Sequence, residues 1–213
     1  LMNLKTENKN FITENIFFKN LNHQRACKIF YQFELFKRTL SVKGEICEFG
    51  VFKGNSLNRL ILFRDLFKQK KKVYAFDTFK IIKLKKSNLD YKQYNKFLKD
   101  SKNYQPSYSD IKKILKLKKM FINVKLVKGD VFETLKTQKI NKISFVLLDL
   151  DLYEPTQYVL KNIWSKLSKN AIILLDNYNV FKGETKAVNE FTKKNKIKIY
   201  KEKFHKNFYF LKK

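Results

Sequence analysis

The sequence predicts an α/β fold: a mostly parallel sheet with helices on both faces, closed by a C-terminal antiparallel hairpin. Three observations carry this expectation. Short apolar runs alternate with helical periodicity through the chain. The run "AIILL" is continuously apolar, as a strand buried on both faces must be. The last residues, "KIKIYKEKFHKNFYFLKK", alternate around a turn at 205–207 and read as a hairpin.

Taken in order, residues 11–40 carry Phe11, Ile16, Phe17, Leu21, Ile29, Phe33, Phe36 and Leu40 at mixed three- and four-residue steps. This predicts one or two N-terminal helices ending near 41–45. A first strand over 46–49 leads into a tight loop at 50–55 and a helix with Leu57, Leu60, Ile61 and Arg64 inward, capped by Asn55 or Ser56. "KKVYAFDTF" is a second strand ending at Asp77. Residues 80–108 are polar and Lys-rich and read as an irregular insertion or lid. A helix capped by Ser109, a third strand ending near Asp130 and a short helix "VFETLKTQ" follow. The fourth strand, "KISFVLLDLD", precedes a helix with Pro155 in its first turn and Leu160, Ile163, Trp164 and Leu167 inward. The fifth strand ends at Asp176, and "GETKAVNEFTKKN" is the last helix. The expected organisation is a single compact unit, with 1–44 as a helical cap and 45–213 as the main domain.

With 213 residues, 44% hydrophobic and 15% aromatic, the chain is long enough for one well-formed core. No run approaches the ~20 apolar residues of a membrane helix. No apolar leader follows a basic start, so a cytoplasmic protein is expected. Cys27 and Cys47 lack any CxxC spacing and read as reduced thiols. The net charge of +28 invites a nucleic-acid reading. However, of 47 basic residues only Arg25, Arg38, Arg59 and Arg64 are arginines, the type best suited to bidentate phosphate and base contacts. The lysines are spread throughout, beside abundant Asn, Ile, Phe and Tyr. Composition drift accounts for that pattern, and nucleic acid is disfavoured as a partner. His23 in a polar stretch and His205 in the hairpin turn read as exposed rather than catalytic.

Chemistry is expected beyond the C-terminal ends of the strands. Glu48, Gly50, Gly54, Asp77, Asp130, Asp149, Asp151, Asp176 and Asn177 gather there. Helix capping explains Asp130 and Asp151 individually, but not an acid at nearly every strand end. "EFGVFKGNS" has glycines for a sharp turn and close backbone approach, yet is neither GxGxxG nor a P-loop. Asp77, at the end of the second strand, is placed to take ribose hydroxyls. A glycine loop and a ribose acid without a phosphate cradle suit S-adenosylmethionine.

"EFGVFKGNS", "FDTF", "VKGDVFETL", "LDLDLYEPT" and "LLDNYNVFKGETKAVNEF" resemble, in that order, the macrocin O-methyltransferase (TylF/MycF-type) family over roughly 40–195. The resemblance implies a Rossmann-like class I methyltransferase fold with a seven-stranded sheet. It implies metal-dependent O-methylation of a sugar or glycosylated small molecule. Glu48, Gly50, Gly54 and Ser56 would hold the cofactor's amino-acid end, Asp77 its ribose, and Asp130 and Val131 would lie near the adenine. Asp149, Asp176 and Asn177 would bind a divalent cation, usually magnesium. Asp151, two residues beyond Asp149 and pointing the same way if the strand continues, is the candidate general base.

The chain departs from the family pattern in three places. Asn177 stands where a second Asp is usual, Leu150 replaces a glycine, and the Gly-Leu-Pro after "FDTF" is missing. Asn is still an oxygen donor for a hard cation, and catechol-type methyltransferases use the same Asp-Asn pair. A catechol-type small-molecule O-methyltransferase is therefore one alternative. A non-catalytic polyanion-binding protein on the same fold is the other. The aromatic N-terminal helices offer a surface for self-association into a homo-oligomer.

Overall fold

The computed structural model describes residues 4–105, 107–203 and 207–213. Seven strands form one sheet in the order β3-β2-β1-β4-β5-β7-β6. They are β1 (Glu45–Phe49), β2 (Val73–Asp77), β3 (Val124–Lys128), β4 (Ile143–Leu148), β5 (Leu167–Leu175), β6 (Ile199–Lys201) and β7 (Phe208–Leu211). Pairings among β1 to β5 are parallel, while β7 runs antiparallel to both β5 and β6. The strand order reverses between β1 and β4, which opens a crevice at their C-terminal ends.

The two faces of the sheet are covered by different helices, and the alternation of side chains explains why. Ile46, Phe145, Leu147, Ile172 and Leu174 join one buried cluster. Cys47, Phe49, Val146, Leu148, Ile173 and Leu175 join the other. On the first face α2 (His23–Lys37), α3 (Asn55–Leu66) and α5 (Tyr108–Leu117) contribute Tyr31, Leu60 and Leu115. On the second, α6 (Val131–Thr137), α7 (Tyr153–Ile163) and α8 (Lys182–Lys194) contribute Leu135, Leu160 and Val188. Each fully buried aliphatic side chain stabilises the fold by about 1.5–3 kcal/mol. Two N-terminal helices are present, α1 (Leu4–Asn20) and α2. On α1, Phe11, Ile12, Ile16, Phe17 and Phe18 are exposed.

Several local expectations are corrected. The region read as an irregular insertion holds a regular helix, α4 (Tyr91–Asp100), entered through Asp90. That helix is held in place: Tyr94 is buried and Phe97 packs on Phe52 at a 5.8 Å ring separation. Helix α3 is capped by neither Asn55 nor Ser56: Gly54 holds the N-cap with φ 76°, and Asn55 is already helical. Helix α5 is capped by Ser107, whose hydroxyl accepts the Asp110 N–H at 3.2 Å, and not by Ser109. Leu167 does not extend the face of α7. A single 3-10 turn (Trp164–Lys166) intervenes, and Leu167 opens β5. The fourth strand ends at Leu148, before both acids.

Both cysteines are free, Cys47 buried and Cys27 half-buried. His23 is exposed at the start of α2. The β6–β7 pair forms as expected, whereas His205 in its turn lies outside the described residues. No helix among the described residues is long and apolar enough to cross a membrane.

Candidate active site

The site is built by extending the parallel ladder one residue past each strand. Gly50 donates its N–H to the Phe76 carbonyl at 2.9 Å, Asp149 to Phe49 at 2.8 Å and Asp176 to Leu148 at 3.0 Å. Gly50, Asp149 and Asp176 are thereby set side by side at the ends of β1, β4 and β5. The approach at Gly50 excludes any side chain. It adopts φ 92°, and a Cβ there would lie 1.8 Å from the Asp149 carbonyl oxygen.

A cavity of about 330 Å³ opens over these ends, with Gly50, Asp77, Asp149, Asp151, Asp176 and Asn177 on its wall. Its other side is largely aromatic and aliphatic, with Phe52, Tyr94, Phe97, Tyr104 and Phe181. Arg25 and Lys80 also line it.

Asp77 fastens the glycine loop. Its Oδ2 accepts the N–H groups of Val51 at 2.7 Å and Phe52 at 2.9 Å, and its Oδ1 accepts that of Phe79 at 2.7 Å. Glu48 points into the sheet face covered by α3. It is fully buried, and neither carboxyl oxygen has a hydrogen-bond partner among the described residues. Burial pushes its pKa up to about 8. Ser56 and the Arg59 guanidinium nearby favour the charged form and limit that shift. An orphaned buried carboxyl is costly, and Glu48 is not among the residues on the cavity wall. Gly54 lines the same loop. Asp130 is exposed and caps α6, accepting the Phe132 N–H at 3.0 Å, and Val131 is buried at the start of that helix. Neither residue is on the cavity wall.

The acid pair meets around one amide. Asn177 donates through Nδ2 to Asp149 Oδ1 at 2.6 Å and to Asp151 Oδ1 at 2.5 Å. The two carboxylates converge although the strand does not continue to Asp151. That residue adopts φ 63°, a left-handed conformation that Asp tolerates better than most residues. Burial, reinforced by the neighbouring Asp176 carboxylate, raises Asp149 well above the usual carboxylate range and Asp151 to about 7.

Three residues of the site escape the sequence reading. Glu184 on α8 is fully buried. Its oxygens accept the backbone N–H groups of Asp151 and Asn177, each at 3.2 Å, so it ties the turn after β4 to the loop after β5. Asp90 accepts the Tyr153 N–H at 2.7 Å and packs where a Cβ on Gly183 would sit, 1.9 Å from its Oδ1. Lys28 on α2 pairs with Asp176 at 2.6 Å. The sequence held a signal for two of them. Glu184 shares the inner face of α8 with buried Ala187, Val188 and Phe191, and Lys28 that of α2 with Tyr31, Gln32 and Leu35. A charge on an apolar stripe has a partner across the fold. Asp90 had no such signal.

These raised acids fix a pH dependence. In the unfolded chain they ionise near their ordinary values of 3.8 and 4.5, whereas the folded chain holds the Asp151 proton to about pH 7 and the Glu48 proton to about pH 8. Between those limits the native state binds more protons, so stability falls as pH rises. The melting temperature without ligands is expected to drop by several degrees between about pH 5 and pH 8. A flat or rising profile in thermal melts overturns this.

Comparisons with known proteins agree on the architecture. The structure of the O-methyltransferase NovP superposes with a TM-score of 0.75 at 19% identity, covering 87% of this chain and 79% of that one. CalS11, a TDP-rhamnose 3'-O-methyltransferase of calicheamicin biosynthesis, gives a TM-score of 0.69 at 23% identity over 92% of this chain and 84% of that one. An rRNA methylase from Streptococcus thermophilus gives 0.56 at 15% identity over 86% and 94%. At such identities the likeness establishes the fold. Among curated proteins none matches. The family model for macrocin-O-methyltransferase (TylF) matches residues 35–212, most of the chain and all of the site described above except Arg25 and Lys28 on α2. The chain belongs to the macrocin-O-methyltransferase family.

Proposed function

We propose that this protein methylates a hydroxyl of a sugar or glycosylated small molecule, using S-adenosylmethionine and a divalent cation. The observation that carries this reading is the convergence of Asp149 and Asp151 on Asn177, at 2.6 and 2.5 Å, in the cavity that Gly50 and Asp77 also line. A methyl acceptor and a methyl donor would meet there.

The residues fit the cofactor. Its ammonium group suits Glu48, whose buried oxygens have no hydrogen-bond partner among the described residues. Gly50 and Gly54 keep the loop free of side chains, Ser56 adds a hydroxyl, and Asp77 holds the loop and faces the ribose. Asp130 and Val131 would flank the adenine from the end of β3. S-adenosylmethionine, when bound, supplies a sulfonium methyl group open to in-line displacement by oxygen.

The donor set also fits a hard cation. Asp149, Asp176 and Asn177 offer oxygen ligands once the amide turns its carbonyl inward. No group of three carboxylate, His or Cys side chains is gathered for a metal among the described residues. The cation would therefore rest on the carboxylates of Asp149 and Asp176 and the Asn177 amide, leaving Asp151 to act as a base. A divalent cation, when bound, supplies a Lewis acid for the acceptor hydroxyl.

Asp151 is the general base. Its pKa of about 7 lets it take a hydroxyl proton at neutral pH and release it afterwards. Asn177 orients the carboxylate, and Glu184 holds the backbone of both residues. The aliphatic and aromatic wall excludes water from the charged cluster. That wall also favours a second reading, a planar aromatic diol stacked between Phe52, Tyr104, Phe97 and Phe181. Acceptor screening with sugars and catechols, with magnesium and with EDTA, separates the two.

Calorimetry tests the cofactor assignment. The wild type is expected to bind S-adenosylmethionine, and Glu48→Gln to bind it about 10- to 100-fold more weakly, the scale of one charge-assisted hydrogen bond. Equal affinities overturn the role of Glu48. No binding by the wild type overturns the cofactor, and nucleic-acid binding with a steep salt dependence becomes the reading to pursue.

A further inference from the structure

Asp176 is already occupied. Its Oδ2 accepts from Lys28 Nζ at 2.6 Å. Its Oδ1 accepts from Asn207 Nδ2 at 2.9 Å, and the same amide donates to the Asp176 carbonyl at 3.0 Å. The pair is shielded, with the Asp176 side chain 6% and that of Lys28 22% exposed. Asp149 and Asp151 are arranged differently, since both turn toward Asn177. The acid cluster thus divides into a carboxylate pair around an amide and a third carboxylate tied off by an ammonium.

Lys28 is not a surface lysine that happens to reach an acid. It projects from the inner face of α2, which is fixed to the sheet by the buried Tyr31, Leu35 and Phe36. A shielded carboxylate deprived of its partner becomes an uncompensated charge that seeks another cation.

We propose that Lys28 is a built-in counter-cation that withholds Asp176 from a divalent ion, so that the ion must displace this lysine to gain Asp176 as a ligand. Together with Asn177, which carries no charge, Lys28 sets a weak divalent affinity for this chain. The inference rests on the metal reading above. Lys28 is a positioning residue: it acts on the reaction through Asp176.

The test measures Mn²⁺ binding to the full chain by electron paramagnetic resonance, without substrate, alongside thermal melts. Lys28→Met is expected to bind Mn²⁺ about tenfold more tightly than wild type, the scale of one charge-assisted contact. Lys28→Arg keeps the charge and is expected to stay within about threefold of wild type. Lys28→Gln keeps a donor without the charge and gives the same direction as Met should Met disturb the fold. Equal or weaker Mn²⁺ binding in folded Met and Gln variants overturns the inference while leaving the metal reading intact. No Mn²⁺ binding by the wild type or any variant overturns both.

Discussion

Asp151→Asn is expected to lower the methyl-transfer rate by about 10²- to 10⁴-fold, the contribution of a positioned general base. The fold should survive the change for two reasons. Asp151 sits at φ 63°, and Asn tolerates the left-handed region at least as well as Asp. The substitution also removes one charge from a crowded, half-buried cluster, where desolvation and the charges of Asp176 and Asp90 disfavour its ionisation. The melting temperature should therefore hold or rise at neutral pH while turnover collapses, and cofactor affinity should stay near wild type. In the wild type the rate should climb with pH through about 7, because the base acts deprotonated. Asp151→Asn retaining more than a tenth of wild-type turnover would remove Asp151 from the mechanism. A fall in turnover accompanied by an equal loss of stability would assign it a structural role instead.

Gly50→Ala should produce the largest loss of stability. The added methyl would lie 1.8 Å from the Asp149 carbonyl oxygen, and backbone cannot swing aside as a side chain can. Relief requires β1 and β4 to part where the Asp149 N–H meets the Phe49 carbonyl at 2.8 Å. The cost is put at about 3–5 kcal/mol, the range of severe overpacking combined with an unfavourable φ. Cofactor binding should be lost with it, because the same separation distorts the glycine loop. Gly54→Ala is the control. It shares a positive φ, 76°, but its Cβ would meet nothing nearer than Ile111 Cγ1 at 3.6 Å. Its expected cost is the conformational one alone, about 1–2 kcal/mol. Similar melting temperatures for the two variants would refute the close-approach argument.

The sheet was legible because burial imposes a period. Runs such as "SFVLL" and "AIILL" must be strands covered on both faces, and they are β4 and β5, with neighbouring side chains alternating between two cores. The acids and glycines at the strand ends were legible for the same reason. An apolar run that stops on a carboxylate marks where the core ends and the crevice begins. Capping was less legible. Ser107 took the place of Ser109, and Gly54 that of Asn55 or Ser56, because adjacent polar residues offer equivalent local signals and the chain path selects among them.

Residue pattern was enough to specify the parallel sheet with its terminal hairpin, the glycine loop and the set of acids beyond the strands. Tertiary structure alone decided what those acids touch. Asp149 and Asp151 share an amide because β5 lies beside β4 in the sheet, and because a left-handed turn, not a continued strand, aims Asp151 inward. Lys28 reaches Asp176 across 148 residues of chain, and Asp90 reaches the Tyr153 backbone across 63. Local periodicity specifies which side of a helix or strand is buried, but it carries no record of distance. Which buried charges meet is fixed by strand order and register.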